Sequence, residues 1–146
     1  LASVSKVAPL TNLPLLRSMV VDRVRYLARL KGLALYPQGE KAEPLGELLE
    51  DPLHQNLMNC LECFCCVASC SQAVGADNSF GGPYLFVKLA QLHLDSRDET
   101  DRVAQAKALG IDKCRDCGKC SCPNGIKLLK AIRSLWKDDK ALEEHK

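Results

Sequence analysis

The sequence has no cysteine outside two short runs, no long apolar stretch and no excess of charge of either sign. No run approaches the roughly 20 consecutive apolar residues that would cross a bilayer, and the start lacks the basic, apolar, small-residue order of a signal peptide, so no direct membrane span is expected. Twenty basic residues face 18 acidic ones, a net charge of +2. That balance leaves no basic stripe for phosphate contacts, and nucleic acid is not an expected partner. A phosphate-cradling glycine loop, a nucleophile beside a base and a carboxylate pair with a reason to be close are all missing. No substrate-converting site is therefore expected on the chain. Alternation of apolar and polar residues, the mark of a half-buried strand, is also absent over any useful length. The expected class is all-α.

What is present fits one compact domain of 146 residues. The first residue is Leu1 rather than Met, which carries the expectation of an N-terminal piece beyond it. Pro9 and Pro14 hold the opening extended as a lead-in, because each also pushes its preceding residue out of the helical region. From Leu15 the apolar positions Leu15, Leu16, Met19, Val20, Val24, Leu27, Ala28 and Leu30 recur at helical spacing, predicting an amphipathic helix over 14–31 that ends near Gly32. Residues 33–50, with Pro37, Gly39, Pro44 and Gly46, predict a loop with at most a helical turn around Leu48. From Pro52 into the first cysteine run, short helical turns should alternate with ligand turns, up to a break between Gln72 and Pro83.

Pro83 suits the first turn of a helix, where its missing amide has no partner to lose. The helix expected over 84–96 is apolar around most of its circumference, which implies burial. A second helix over 98–109 should close on Gly110 in the left-handed capping position. A third, 125–136, carries Ile126, Leu128, Leu129, Ile132, Leu135 and Trp136 and frays into 137–146.

The cysteines are the informative residues. Cys60-Leu61-Glu62-Cys63-Phe64-Cys65-Cys66-Val67-Ala68-Ser69-Cys70 places five sulfurs in eleven residues. After 43 intervening residues comes Cys114-Arg115-Asp116-Cys117-Gly118-Lys119-Cys120-Ser121-Cys122-Pro123, with the other four. Secreted disulfide scaffolds use an even number of cysteines and spread them out. Nine in two dense runs, with Cys65 and Cys66 adjacent, indicate thiols gathered for metal in a reducing compartment.

Cys60, Cys63, Cys66 and Cys70 fit C-x2-C-x2-C-x3-C, the spacing in which three nearby thiolates hold one iron–sulfur cluster and the fourth ligates another. Two-residue gaps let one tight turn aim successive sulfurs at different irons of one cubane, while the fourth cysteine has already left that turn. The Cys122-Pro123 ending belongs to the same signature. The spacing thus predicts crossed ligation: Cys60, Cys63, Cys66 and Cys122 on a first [4Fe-4S] cluster, and Cys70, Cys114, Cys117 and Cys120 on a second. Cys65 is left over and reads as a small buried residue beside the cluster. A zinc-stabilised interaction module is the bland alternative, since tetrahedral sulfur suits either metal, but a structural zinc site needs only four thiolates and eight stand here. His54, His93 and His145 lie outside the runs and read as helix-surface or packing residues.

The succession of these cysteines with Gly82-Pro83, Leu94-Asp95-Ser96-Arg97-Asp98-Glu99, Cys122-Pro123 and Lys130-Ala131-Ile132 resembles the iron–sulfur subunit of succinate dehydrogenase and fumarate reductase. The likeness runs over residues 7–138, and Val7-Ala8-Pro9-Leu10 with Val20-Val21-Asp22 resembles the family's linker into this domain. It implies an α-helical ferredoxin fold over 14–146, with 1–13 as the linker from a plant-type ferredoxin domain whose [2Fe-2S] cysteines are not in this sequence. It also implies a relay of single electrons between a flavoprotein subunit that interconverts succinate and fumarate and a quinone site at a membrane-anchor subunit. The implied location is the cytoplasmic, inner face of the cell membrane, held there through the complex, as part of a respiratory chain.

Three departures bear on what the resemblance implies. One residue separates Cys120 from Cys122 where the family has three. Cys117 fills a position where most members have no ligand and their second cluster is [3Fe-4S]; a thiolate there implies [4Fe-4S], as in atypical members and in heterodisulfide-reductase-like subunits, whose acceptor subunit is itself cysteine-rich. The aromatic residue that the family has shortly after the first run and the histidine that it has after the first cysteine of the second are not found; Val74, Gly75 and Arg115 stand near those places, which speaks against a quinone site of the common kind.

Overall fold

The computed structural model describes residues 6–39, 51–73 and 79–136. The turn expected around Leu48, the stretch 74–78 within the expected break, and the tail 137–146 lie outside them. Among the described residues there are six α-helices and a two-stranded antiparallel sheet that the all-α expectation did not contain.

That sheet occupies the first half of the helix expected over 14–31. β1 (Leu15–Arg17) pairs with β2 (Val20–Val21), Leu15 opposite Val21 and Arg17 opposite Val20. Ser18 turns the chain with φ 48°, and the Asp22 amide closes the hairpin on the Pro14 carbonyl at 2.7 Å. Two β-branched residues in succession favour the pleated arrangement. Leu15, Leu16, Met19 and Val20 all stay exposed, so their helical spacing marked no buried stripe. The helix begins only where Asp22 Oδ1 accepts the Val24 N–H at 2.8 Å, giving α1 (Val24–Gly32). Its buried contribution is Tyr26.

Asp51 caps α2 (Pro52–Met58) by accepting from the Leu53 amide, with Pro52 in the first turn. A four-residue α3 (Cys65–Ala68) and a 3-10 turn (Ser71–Ala73) follow, so short helical turns do punctuate the first cysteine run.

α4 (Gly82–His93) is the centre of the molecule. Nine of its twelve residues are buried, and α2, α3, α5 and α6 all pack against it. It starts two residues earlier and ends three earlier than the expected 84–96; Pro83 stands in its first turn as anticipated. Leu85 and Leu89 are fully buried and meet a core that includes Leu57, Ile132 and Leu135. Each such side chain contributes about 1.5–3 kcal/mol relative to exposure.

α5 (Arg102–Ala108) starts four residues after the expected 98, because Asp101 is the residue whose side chain caps it, accepting from Ala104 N at 2.9 Å. Asp98 instead pairs with Arg102 at 2.5 Å, both side chains fully buried. Arg102 also donates to the carbonyls of Leu33, Ala34 and Tyr36, tying the segment after α1 to α5. Gly110 ends this region at φ +74°, as the left-handed cap requires. A 3-10 turn (Ile111–Cys114) leads into the second cysteine run. α6 (Leu128–Ser134) is shorter than the expected 125–136, because the residues before it are held by side-chain bonds to α2.

Candidate metal centres

The first run owes its shape to two left-handed residues that are not glycine, Glu62 (φ 54°) and Phe64 (φ 64°). Such a conformation costs an ordinary residue about 1–2 kcal/mol and persists where the surroundings over-determine it. Here they do. Phe64 is buried, its ring 4.3 Å from Tyr84 and 5.4 Å from Tyr26, centroid to centroid. Glu62 forms an ion pair with Lys88 and accepts from the Tyr84 hydroxyl at 3.4 Å. These two turns bring Cys60, Cys63 and Cys66 to one recess, walled by Phe64, Tyr84, Val87, Ile126 and Leu128.

Cys122 lines the same recess, and asparagines bring it there. Asn124 Nδ2 donates to the Asn59 carbonyl at 2.8 Å. Asn56 accepts from the Lys127 amide at 2.8 Å and donates to the Gly125 carbonyl at 3.2 Å. The exit of the second run is thus laced to the residue preceding Cys60.

Cys70 leaves the first run at the end of α3, where Asn12 fixes the backbone. The Asn12 amide donates to the carbonyls of Val67, Ala68 and Cys70 at 3.0–3.1 Å, and Thr11 Oγ1 adds a bond to Ala68 at 2.8 Å. Cys70 and Cys114 are buried, while Cys117 and Cys120 are half-buried.

Electrostatics divide the nine thiols into two groups. Burial pushes the Cys66 thiol up to about 12, and Cys60, Cys63 and Cys122 add to the shift. Burial likewise raises Cys114 to about 12, with Cys120, Cys70 and Cys117 contributing, and Cys120 to about 11, with Cys70 and Cys117 contributing. Cys65 is raised chiefly by a hydrogen bond with Cys63 and feels Cys122 as well. It therefore sits against the first group, half-buried rather than enclosed. Cys117 goes the other way, held below the ordinary thiol range by the Lys119 backbone N–H and by Ser71. Negative charges gathered in fours repel one another unless a positively charged group lies among them, and a metal that displaces the protons supplies it.

Among the described residues, no group of three or more His, Cys, Asp or Glu side chains is placed to hold a single metal ion. In a structural zinc site each sulfur lies about 2.3 Å from one ion, whereas the thiolates around a cluster bind separate irons. The donors gathered around the recess of the first run are all thiols held on tight turns, the ligand chemistry that an iron–sulfur cluster takes. His54 is buried within α2 and His93 exposed at the end of α4; His145 lies outside the described residues. The asparagines and Ser71 carry no signal at short range in the sequence, since their partners are distant along the chain.

No helix among the described residues is long and apolar enough to cross a membrane. No family model matches the chain. Curated relatives do. Over 119 residues the chain is 29% identical to a fumarate reductase (CoM/CoB) subunit from Methanothermobacter marburgensis, covering 79% of this chain and 24% of that one. Over 138 residues it is 29% identical to the succinate dehydrogenase iron–sulfur subunit of Coxiella burnetii, covering 88% and 59%. An uncharacterised iron–sulfur protein of Methanocaldococcus jannaschii is 30% identical over 135 residues, covering 88% and 27%. The chain thus spans from about a quarter to under two thirds of the relatives' lengths. The resemblance read from the cysteine runs is borne out: this is a mostly helical chain similar to iron–sulfur subunits of succinate dehydrogenase and fumarate reductase.

Proposed function

We propose that the chain is the electron-transfer module of a succinate dehydrogenase- or fumarate reductase-like oxidoreductase, carrying single electrons between a flavoprotein subunit and a quinone or other acceptor. Two iron–sulfur clusters would be held by Cys60, Cys63, Cys66 and Cys122 and by Cys70, Cys114, Cys117 and Cys120. The observation that carries this reading is the recess that Cys60, Cys63 and Cys66 of the first run line together with Cys122 of the second. The relatives' names support the oxidoreductase class.

Bound clusters supply one-electron oxidation and reduction; the chain's own residues do the rest. Phe64, Tyr84, Val87, Ile126 and Leu128 limit water around the first set, and burial of that kind is one of the levers on reduction potential. Glu62 and Lys88 lock the ligand turn. The lacing of Asn56, Asn59 and Asn124 ties the exit of the second run to the residue before Cys60, which would hold Cys122 in the first set. Each electron taken from one partner is given to the other, and the module is left unchanged.

Cys117 favours a second reading of the same class, a heterodisulfide-reductase-like iron–sulfur subunit with a cysteine-rich acceptor in place of a membrane anchor. Anaerobic iron and sulfide analysis with EPR tests the proposal. About eight irons per chain are expected from two four-iron clusters. Zinc in place of iron would instead establish the interaction module, and a sharp signal in the oxidised protein would indicate a three-iron second centre.

A further inference from the structure

Ser71 stands where the first cysteine run ends and the chain crosses to the second set of thiols. Its hydroxyl oxygen lies 3.7 Å from Cys117 Sγ, 46 residues further along. The Ser71 hydroxyl is thereby placed against one sulfur of the second set.

We infer that Ser71 is a positioning residue of the second centre, donating its hydroxyl hydrogen to the Cys117 sulfur and raising the reduction potential of the cluster held there. The inference rests on the iron–sulfur reading of this same site. A ligating thiolate has no hydrogen of its own, so the hydroxyl must be the donor. On reduction, electron density on the cluster and its sulfurs increases, and a donor aimed at a sulfur stabilises the reduced form more than the oxidised one. Hydrogen bonds to the sulfurs are among the determinants of cluster potential. Ser71 is exposed, so its replacement leaves the core untouched.

The test compares wild type with Ser71→Ala and Ser71→Thr, measuring iron content and, by EPR-monitored titration, both potentials. The expected result is full iron in all three proteins and a lower potential for one of the two clusters in Ser71→Ala alone. The shift should correspond to roughly three- to tenfold in the one-electron equilibrium constant, tenfold being about 59 mV. Loss of one iron in Ser71→Ala, restored in Ser71→Thr, would equally show the hydroxyl holding Cys117. Unchanged potentials in an iron-replete Ser71→Ala overturn the inference and leave the relay standing, as does a shift of equal size in both variants. A wild-type protein that loads zinc and no iron overturns the relay itself, and this inference with it.

Discussion

The side-chain amide of Asn12 lies 3.0 Å from the carbonyl oxygen of Cys70, 58 residues later in the chain. The same nitrogen reaches Val67 O and Ala68 O, so one side chain adds a second donor to each of three carbonyls at the end of α3, which already accept from the Cys70 and Ala73 amides and from Thr11 Oγ1. Asn12 itself is left-handed at φ 61°, a conformation asparagine tolerates better than most residues. The lead-in segment is thereby part of the frame around Cys70.

Removing the donor without adding strain isolates its contribution. Asn12→Gly tolerates the positive φ and is expected to lower stability by about 1–3 kcal/mol, a net of about 0.5–1.5 kcal/mol for each hydrogen bond lost, since the carbonyls of Val67, Ala68 and Cys70 keep the Cys70 amide, the Thr11 hydroxyl and the Ala73 amide as donors. Asn12→Asp keeps the shape but turns a carboxylate toward three carbonyl oxygens, and should lower it further. Denaturant midpoints under anaerobic conditions give the order. A glycine variant as stable as wild type would mean that these bonds do not hold α3.

The buried ion pair of Asp98 and Arg102 has a pH signature. Burial acts to raise the Asp98 carboxyl, and bonds from Arg102 and from the Gln38 and Thr100 amides outweigh it, leaving a net depression. A depressed carboxyl contributes stability that is present above the unfolded value of about 4 and is lost as pH falls through the folded value. In Arg102→Met the main cation is gone, the burial effect dominates and the sign reverses, so the variant loses stability as pH rises above about 4. Breaking one side of such a pair costs about 3–5 kcal/mol. The stability difference between wild type and Arg102→Met should therefore widen from about pH 5 to pH 8. A difference that is constant across that range would contradict this account.

What could be read from the sequence depended on the range of the signal. Pro83 and Gly110 act through their own backbones, and both stand where local rules put them. Cys122 lines one recess with Cys60, Cys63 and Cys66, and the sequence pointed to that grouping because two-residue gaps place only three sulfurs on one turn. The hairpin at Leu15–Val21 was not legible, since its exposed apolar residues happen to repeat at helical spacing. Asn12, Ser71 and Asn124 were invisible for another reason. Their partners lie 58, 46 and 65 residues away, and no periodicity encodes a bond of that range.

Crossed ligation separates two substitutions that simple counting would treat alike. Cys122→Ala lies in the second run, but its recess is the one formed by the first. About four of eight irons should be lost, leaving the signal of the cluster at Cys70, Cys114, Cys117 and Cys120. Cys117→Ala should cost about one iron and produce a three-iron signal in the oxidised protein. If Cys122→Ala instead removed the cluster of its own run and spared the other, the crossing would be wrong.

Phe64 tests whether strain in the ligand turn is held by packing. Its ring is buried against Tyr26 and Tyr84, so Phe64→Ala should lower stability by about 3–5 kcal/mol. At φ 64°, however, an alanine still carries the left-handed penalty of about 1–2 kcal/mol, which glycine does not. Phe64→Gly is therefore expected to be at least as stable as Phe64→Ala, although glycine in a regular element is ordinarily the worse replacement by about 0.5–1 kcal/mol. Denaturant midpoints of the two variants decide it. A glycine variant clearly below the alanine one would mean that the turn relaxes out of the left-handed region once the ring is gone, and that the aromatic cluster, rather than the cysteine spacing, imposes the geometry that gathers Cys60, Cys63 and Cys66.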